Sequence, residues 1–261
     1  MGYLDNFFHQ VIGEDNLPKL VFLHGLLGAG ANWRRITPAF QESHQILLFD
    51  QRGHGRSFQP ESGYSPESYS DDLEKILDEL GWEKIQLVGH SMGGRNAMHF
   101  ASQNASRVTK LVIEDIGPDG NREGSLRVER LVQSVPTPFD DKETARNFFR
   151  EKFEDQALGQ YLYSNIVQSP NGKFDWRFSK KGVLESLDRG RAKDRWPELE
   201  SLKMPTLVVR GEFSNDLSRD VFEEMIRRNR NVTGIEIPNA GHWVHFDKPD
   251  EFIEALKSFL D

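Results

Sequence analysis

Short apolar runs that alternate with longer amphipathic segments constrain this chain more than any other feature of its sequence. The runs are four to six residues long, are rich in Val, Ile, Leu and Phe, and several lack the every-second-residue alternation of a half-exposed strand. They cover residues 19–24, 45–50, 85–90, 110–114, 206–210 and 234–238, and residues 7–12 favour a further edge strand. Buried strands separated by helices predict an α/β fold with a mostly parallel central sheet covered on both faces.

The amphipathic segments predict the helices that cover this sheet. They lie near residues 31–43, 66–80, 92–104, 218–229 and 249–260. In the last of them Phe252, Ile253, Leu256 and Phe259 fall on one helical stripe, and Pro249 is a typical residue for the helix start. Each such stripe needs an apolar partner, and the sheet supplies it.

The alternation stops near Pro118 and resumes near Met204. The segment between them contains helix-like pieces and many aromatic residues, but no strand pattern typical of a buried sheet. We therefore predict a core made of residues 1–117 and 201–261, with an inserted helical cap at residues 118–200. From the cap, we expect Phe148, Phe149 and Trp176 to contribute to an apolar substrate pocket.

A basic cluster lies near the end of the cap, formed by Arg189, Arg191, Lys193 and Arg195. Such a cluster favours a solvated face, and contact with an anionic group of a substrate is the alternative interpretation. The sequence leaves both interpretations open.

Charge and composition exclude several classes of function. The chain of 261 residues has no cysteine, so disulfides, thiolate nucleophiles and cysteine-based metal sites are excluded. Its net charge of −8 argues against binding to nucleic acid, which requires a basic surface. No apolar run approaches the roughly 18 residues of a membrane span, and the N-terminus lacks a signal-peptide pattern. We expect a cytoplasmic protein that does not bind nucleic acid and has no membrane span.

The sequence GHSMG at residues 89–93 is the strongest candidate for a catalytic motif. It follows the apolar run at residues 85–88 and opens a helix-like segment that contains small residues. A serine on a sharp strand-to-helix turn is exposed above the sheet, and glycines on either side let strand and helix pass closely. The context predicts Ser91 as a nucleophile rather than a simple helix N-cap.

A serine hydroxyl needs a base near neutral pH. His242 lies in a loop after the last apolar run and before the C-terminal helix, where it overhangs the carboxyl ends of the strands. His245 is the nearest competitor in the sequence. We predict His242 as the general base.

Acyl transfer also needs hydrogen-bond donors for the oxyanion of the tetrahedral intermediate. The backbone N–H of Met92 follows the nucleophile and is one candidate. The glycine-containing loop at residues 24–28 follows the strand at residues 19–24, and we expect the N–H of Leu26 to be the second donor. The glycine-rich loop at residues 50–57 favours a structural role beside the nucleophile turn.

Four segments together resemble the α/β-hydrolase superfamily: HGLLG at residues 24–28, DQRGHGRS at 50–57, GHSMGG at 89–94 and GHW at 241–243. The resemblance extends over nearly the whole chain, because the order of strands and helices also matches. It implies the α/β-hydrolase fold and a serine nucleophile. An aspartate in place of Ser91 would instead indicate haloalkane dehalogenases or epoxide hydrolases.

The acid of the triad departs from the commonest pattern of the superfamily. Most members carry it in a Gly-x-x-Asp turn after the penultimate strand, where this chain has Ser214. Asp115, after the strand that follows the nucleophile helix, together with Ser214 is similar to a subgroup of small bacterial esterases and their mitochondrial relatives. The resemblance implies Asp115 as the acid with Ser214 assisting the histidine, and Asp216 on a longer turn is the alternative.

The resemblance to that subgroup implies a carboxylesterase or thioesterase that acts on modest acyl chains, with acyl-CoA as one candidate substrate. We predict a serine hydrolase that cleaves carboxylic esters, or acyl thioesters, through an acyl-enzyme without a metal or organic cofactor. The alternatives are a C–C bond hydrolase or a perhydrolase on the same fold, and a ligand sensor of that fold with little turnover.

Overall fold

A seven-stranded sheet organises the part of the chain that the computed structural model describes, residues 2–119, 122–154 and 156–261. The strands are β1 (His9–Ile12), β2 (Lys19–Leu23), β3 (Gln45–Phe49), β4 (Ile85–His90), β5 (Val108–Glu114), β6 (Ile166–Gln168), β7 (Phe174–Trp176), β8 (Thr206–Gly211) and β9 (Val232–Ile237). The sheet order is β1-β3-β2-β4-β5-β8-β9, and only β1 runs antiparallel to its neighbour, while β6 and β7 form a separate hairpin. The predicted α/β fold with a mostly parallel sheet is therefore confirmed.

Helices follow most of the parallel strands. They are α1 (Pro66–Glu79), α2 (Met92–Gln103), α3 (Arg122–Ser134), α4 (Lys142–Lys152), α5 (Gln156–Ser164), α6 (Lys180–Arg191), α7 (Trp196–Ser201), α8 (Arg219–Arg228), α9 (Val244–Asp247) and α10 (Pro249–Leu260). Several begin at serines whose hydroxyls accept a backbone N–H of the first turn, as Ser65 and Ser218 do. No helix of the described residues has both the length and the apolar character that crossing a membrane requires.

One predicted helix is wrong in type. The segment near residues 31–43 forms two short 3₁₀ helices, Gly30–Arg35 and Thr37–Ala39, instead of a continuous α-helix. Pro38 lies inside the segment, and its missing N–H and its ring prevent an α-helix from running through this point.

The central strands β2, β3, β4, β5 and β8 are largely buried on both faces, as their sequences predict, whereas the edge strands β1 and β9 carry exposed residues. Along β5, Leu111 and Ile113 belong to the apolar cluster that α1 and α2 cover, whereas Val112 belongs to the cluster that α10 covers. The two clusters pack on opposite faces of the sheet. Because every parallel strand presents its carboxyl end to the same edge, the loops that follow β2, β4, β5, β8 and β9 meet there.

The chain between β5 and β8 has an apolar cluster of its own, in which Phe139, Phe149 and Trp176 are buried. The β6–β7 hairpin within this segment is not predicted from the sequence, because strands of three residues are too short to show a period. At the end of the segment between β5 and β8, α7 packs on α2 and adds Leu199 to an apolar cluster of the sheet. The division of core and cap at residues 118 and 200 stays a prediction.

Candidate active site

Ser91 lies on the sharp turn between β4 and α2, with backbone angles of φ 51° and ψ −115°. This region is unfavourable for a residue with a side chain, so the surrounding structure must hold it there. A Cβ atom on Gly93 would lie 2.4 Å from the carbonyl oxygen of Leu23, and one on Gly89 would lie 2.3 Å from that of Gly93. Only glycine fits at these two positions, which explains the spacing of the motif.

His242 bridges Ser91 and Asp115. Its Nε2 lies 3.0 Å from Ser91 Oγ, and its Nδ1 lies 2.8 Å from Asp115 Oδ2. His242 is in the loop after β9, and Asp115 follows β5 with a positive φ of 53°. Three loops at one edge of the sheet thus bring together a serine, an imidazole and a carboxylate in hydrogen-bonding order.

The carboxylate of Asp115 is completely buried, with 0% of the residue exposed. The backbone N–H of Gly211 donates to its Oδ1 at 3.0 Å, and the hydroxyl of Ser214 donates to its Oδ2. Ser214 in turn accepts the N–H of Asp216 at 3.1 Å. These bonds fix the orientation of the carboxylate toward His242.

Asp216, the alternative acid, lies farther from the imidazole. Its Oδ2 is 3.7 Å from His242 Nδ1, outside hydrogen-bond distance, and 3.3 Å from an Nη2 of Arg127. Its side chain is 20% exposed. The structure therefore brings Asp115 into the hydrogen-bonded chain and leaves Asp216 beside it.

The surroundings of His242 raise the affinity of its ring for a proton. Burial by itself lowers the pKa of an imidazole, but the hydrogen bond and the charge of Asp115 outweigh it and raise the pKa of His242 above its ordinary value of 6.5. The charge of Asp216 acts in the same direction. In its neutral form this ring can accept the proton of Ser91, and Asp115 then stabilises the resulting positive charge.

A second layer of buried polar residues supports the loop that carries His242. The carboxylate of Glu114 accepts both the backbone N–H and the ring N–H of His245, at 2.9 and 2.8 Å. The Nε2 of His90 lies 2.9 Å from the carbonyl oxygen of His242. His245 therefore faces Glu114 rather than Ser91. The roles of Glu114 and His90 in this layer are not predicted from the sequence.

The same layer is where the described residues come closest to a metal-binding arrangement. Ligand atoms of His90, Glu114 and His245 all lie within 4.8 Å of one another. The Glu114 oxygens already accept hydrogen bonds from His245, and His90 is bonded to the backbone. These bonds account for the cluster as a structural network.

Leu26 and Met92, whose backbone N–H groups are the predicted oxyanion donors, both lie at the cavity above Ser91. Leu26 lies in the turn after β2, and Met92 is the first residue of α2, where an N–H has no intrahelical acceptor. Among the described residues, no backbone hydrogen bond outside helices and strands uses either N–H. Both residues line the cavity at Ser91, so both donors are available to a ligand there.

The buried ring of His24 stabilises the loop that carries Leu26. The Nε2 of His24 accepts the N–H of Gln51 at 2.9 Å, and its Nδ1 lies 2.8 Å from the carbonyl oxygen of Gly25. This pattern requires the neutral ring, and burial lowers the pKa of His24 to about 4. Asp50 Oδ1 and Oδ2 accept the N–H groups of Gly30 and Arg56, which agrees with a structural role for this glycine-rich loop.

A cavity of about 300 Å³ opens above Ser91. One side is formed by the loops of the sheet edge and the other by apolar residues between β5 and β8. The latter are Val128, Leu131, Leu158, Tyr161, Leu162 and Leu187. The walls are mostly apolar and carry a few polar groups near the reacting serine, a composition typical of small-molecule sites.

The three aromatic residues expected in the pocket wall lie elsewhere. Among the residues described as lining the cavity, Phe148, Phe149 and Trp176 are absent, and all three belong to or pack against the apolar cluster between β5 and β8. Phe149 contacts the rings of both Phe148 and Trp176. The assignment to substrate contact is corrected accordingly, because these rings pack edge-to-face against one another and not on the cavity.

The fold, the sharp turn at Ser91 and the cavity are typical of one class of protein, and a comparison with known families agrees. The model of the α/β-hydrolase fold family matches residues 18–249, and the chain belongs to this family. It is a hydrolase of that fold.

Several named relatives are similar to this chain over nearly its whole length. The chain is 33% identical to mouse sn-1-specific diacylglycerol lipase ABHD11, over 97% of this chain and 84% of the relative. It is 26% identical to the esterase YbfF of Escherichia coli, over 95% of each. Among solved structures, a marine microorganism esterase superimposes with a TM-score of 0.86 at 25% identity, covering 97% of this chain and 98% of that one. These relatives are named as lipases and esterases.

Proposed function

We propose that this chain is a serine carboxylesterase that also accepts acyl thioesters, with Ser91 as nucleophile, His242 as general base and Asp115 as the acid. The observation that carries the proposal is the continuous hydrogen-bonded chain from Ser91 Oγ through His242 to Asp115 at the wall of a mostly apolar cavity. The printed names of the relatives, lipase and esterase, support the ester class.

In the acylation step, His242 Nε2 takes the proton of Ser91 while Oγ attacks the carbonyl carbon of the ester or thioester. The carbonyl oxygen becomes an oxyanion, which the N–H groups of Leu26 and Met92 bind. The tetrahedral intermediate collapses, the C–O or C–S bond breaks, and His242 gives its proton to the leaving alcohol or thiol. Asp115 keeps the imidazole oriented and stabilises its charged form throughout.

In the deacylation step, a water molecule replaces the leaving group. His242 takes a proton from the water as its oxygen attacks the acyl-enzyme carbonyl, and the same two N–H groups bind the second oxyanion. Collapse of this intermediate breaks the bond to Ser91 Oγ, which recovers its proton from His242. The products are the carboxylic acid and a regenerated enzyme.

The test is a panel of phenyl esters and the matching acyl thioesters, measured with the wild type and with Ser91→Ala. We expect Ser91→Ala to lower kcat by roughly 10⁴-fold or more, because triad enzymes without their nucleophile keep only the residual rate that the oxyanion hole and substrate binding supply. A fluorophosphonate probe should label the wild type at Ser91 and leave the variant unlabelled.

Ser201→Ala is the matched control, since Ser201 lies at the exposed end of α7 and its hydroxyl bonds only to its own helix. Retention of more than a tenth of the activity in Ser91→Ala would refute the nucleophile assignment. Steady turnover of esters separates an enzyme from a ligand sensor. Cleavage of vinylogous diketones or peracid formation, in preference to ester hydrolysis, would favour the C–C bond hydrolase or perhydrolase alternative.

A further inference from the structure

Arg95 is a buried cation on the wall of the catalytic cavity. It lies one turn after Ser91 on α2, so the two residues are separated by about 6 Å along the helix axis. Only 6% of the residue is exposed. Within the described part of the chain, its Nε and Nη2 have no hydrogen-bond partner.

Arg191, at the end of α6, faces the same cavity. Its Nε and Nη1 are also buried and without a hydrogen-bond partner in the described ranges. The two helices approach closely at this point, since a Cβ atom on Gly190 would lie 3.0 Å from Nη1 of Arg95. One guanidinium comes from the core and the other from the cap.

A guanidinium with unsatisfied donors is costly to bury, so this arrangement requires an explanation. Arg195 differs from this pair, because carboxylates bind both of its terminal nitrogens, although its Nε has no hydrogen-bond partner in the described ranges. It is completely buried, and its terminal nitrogens bind Glu198 at 2.7 Å and Glu67 at 3.2 Å. In the part of the chain that the structure describes, no carboxylate binds the unpartnered nitrogens of Arg95 and Arg191.

Burial and neighbouring charges shift the pKa values of both arginines. Burial first, and then repulsion by Arg191 and Arg195, lowers the pKa of Arg95 to about 10, and burial lowers that of Arg191 to about 10 as well. Asp119 and Glu198 partly offset this at Arg95, and Asp119 and Asp216 do so at Arg191. An added anion would relieve both the desolvation and the repulsion.

Arg95 lies on a buried part of the cavity wall, and Arg191 beside it is half-buried. Tyr69 and Ser186 also line the cavity and are buried, whereas Trp243, on the wall beside His242, is 38% exposed. We place the acyl chain of a substrate along the buried wall that contains Arg95, and the leaving group on the exposed side at Trp243. With this placement the site discriminates on the acyl part of the substrate, which the esters below test.

We infer that Arg95 and Arg191 form a subsite for a carboxylate at the far end of the acyl chain, so that the favoured substrates are monoesters or monothioesters of short dicarboxylic acids. The inference rests on the proposed esterase function and names its substrate class. Planar guanidinium groups bind carboxylates in a bidentate manner, and the unpartnered nitrogens supply the donors.

The experiment compares three esters that differ in the position of one carboxylate. They are phenyl hexanoate, the phenyl monoester of adipic acid, and 4-carboxyphenyl hexanoate. The wild type should prefer the adipate monoester to phenyl hexanoate by roughly tenfold to a hundredfold in kcat/KM, the range for charge-assisted hydrogen bonds in a buried site. Arg95→Met and Arg191→Met should each abolish most of this preference, and Arg95→Lys should keep part of it.

Arg107→Met is the matched control, because Arg107 lies beyond the end of α2 and binds the exposed Asp78. It should leave the preference unchanged. Equal rates for the two acyl chains in the wild type, or an unchanged preference in both Met variants, would overturn the inference. A preference for 4-carboxyphenyl hexanoate would overturn the acyl placement.

Stability separates binding from a structural role. Arg95→Met should have a Tm no lower than that of the wild type, since it removes an unsatisfied buried charge. A lower Tm with unchanged substrate preference would make Arg95 a structural residue. If the wild type turns over no ester, the proposed function fails. The subsite is then judged separately, by calorimetric binding of the adipate monoester to Ser91→Ala with and without Arg95→Met.

Discussion

Two regions of the molecule meet at the cavity, and they are built in different ways. At the carboxyl edge of the sheet, Ser91 and Asp115 both have positive φ angles, and buried hydrogen bonds hold their neighbours in place. In the segment between β5 and β8, apolar side chains of helices form the opposite wall, backed by a cluster of aromatic rings. One region is constrained by its backbone and its polar network, the other by side-chain packing.

The difference indicates how the proposed function is divided between them. A reacting group must stay within a few tenths of an ångström of its partner, and a strained turn with buried bonds achieves this. A wall of helical side chains can change size and polarity without moving the strands. We therefore expect changes at the sheet edge to affect all substrates equally, and changes in the wall to affect the choice among them.

The largest expected effect concerns the acid at the sheet edge. Asp115→Asn should lower kcat by up to ~10⁴-fold with little change in KM, because an amide cannot stabilise the charged imidazole and forces the wrong tautomer. Asp216→Asn, whose carboxylate lies outside hydrogen-bond distance of His242, should remain within about fivefold of the wild type. Steady-state kinetics on phenyl acetate measures both, and the reverse ranking would make Asp216 the acid.

The pH profile of the same variants provides an independent measurement. The proposed base must be neutral, so kcat/KM should fall as the pH falls through the pKa of His242, which Asp115 raises above 6.5. Removal of the Asp115 charge lowers that pKa, and the acid limb of the residual activity should move to lower pH. Asp216→Asn should move it in the same direction by less. A limb that stays in place in Asp115→Asn would contradict the assigned pairing.

The fold could be predicted from the sequence because strands that are buried on both faces have a distinctive composition. The catalytic candidates could be located because each follows a recognisable strand, although their roles stay predictions. The choice between Asp115 and Asp216 could not be made firmly, since it depends on a turn geometry that places Ser214 against the Asp115 carboxylate.

The cap was harder to predict, for two physical reasons. Apolar rings suit either a cap core or a pocket wall, so composition alone does not assign Phe149 to one of them. Likewise, the basic cluster was expected to favour a solvated face, but Arg195 is buried and one of its partners, Glu67, is 128 residues distant in sequence. Long-range pairing of this kind leaves no local pattern.

A moderate effect is expected at Ser214. Ser214→Ala should lower kcat on the order of tenfold, because it removes one hydrogen bond to the Asp115 carboxylate but leaves the bond from Gly211. The loss should be the same for short and long acyl esters, since Ser214 belongs to the sheet edge. A loss that grows with acyl length would mean that Ser214 acts on the cavity wall instead.

The smallest effects on rate should arise in the cap, and there the wall and the aromatic cluster can be separated by one pair of variants. Leu131→Ala enlarges the cavity wall, so it should shift the preference among acetate, butyrate and hexanoate esters by a few-fold to about tenfold, the usual effect of one or two methylenes in an apolar pocket. Phe149→Ala should instead destabilise the fold by about 3–5 kcal/mol, because it opens a cavity among buried rings. Among the variant molecules that remain folded, the acyl preference should match that of the wild type. Measured by denaturant unfolding and by the same ester series, a shifted preference in Phe149→Ala without loss of stability would return this residue to the substrate wall.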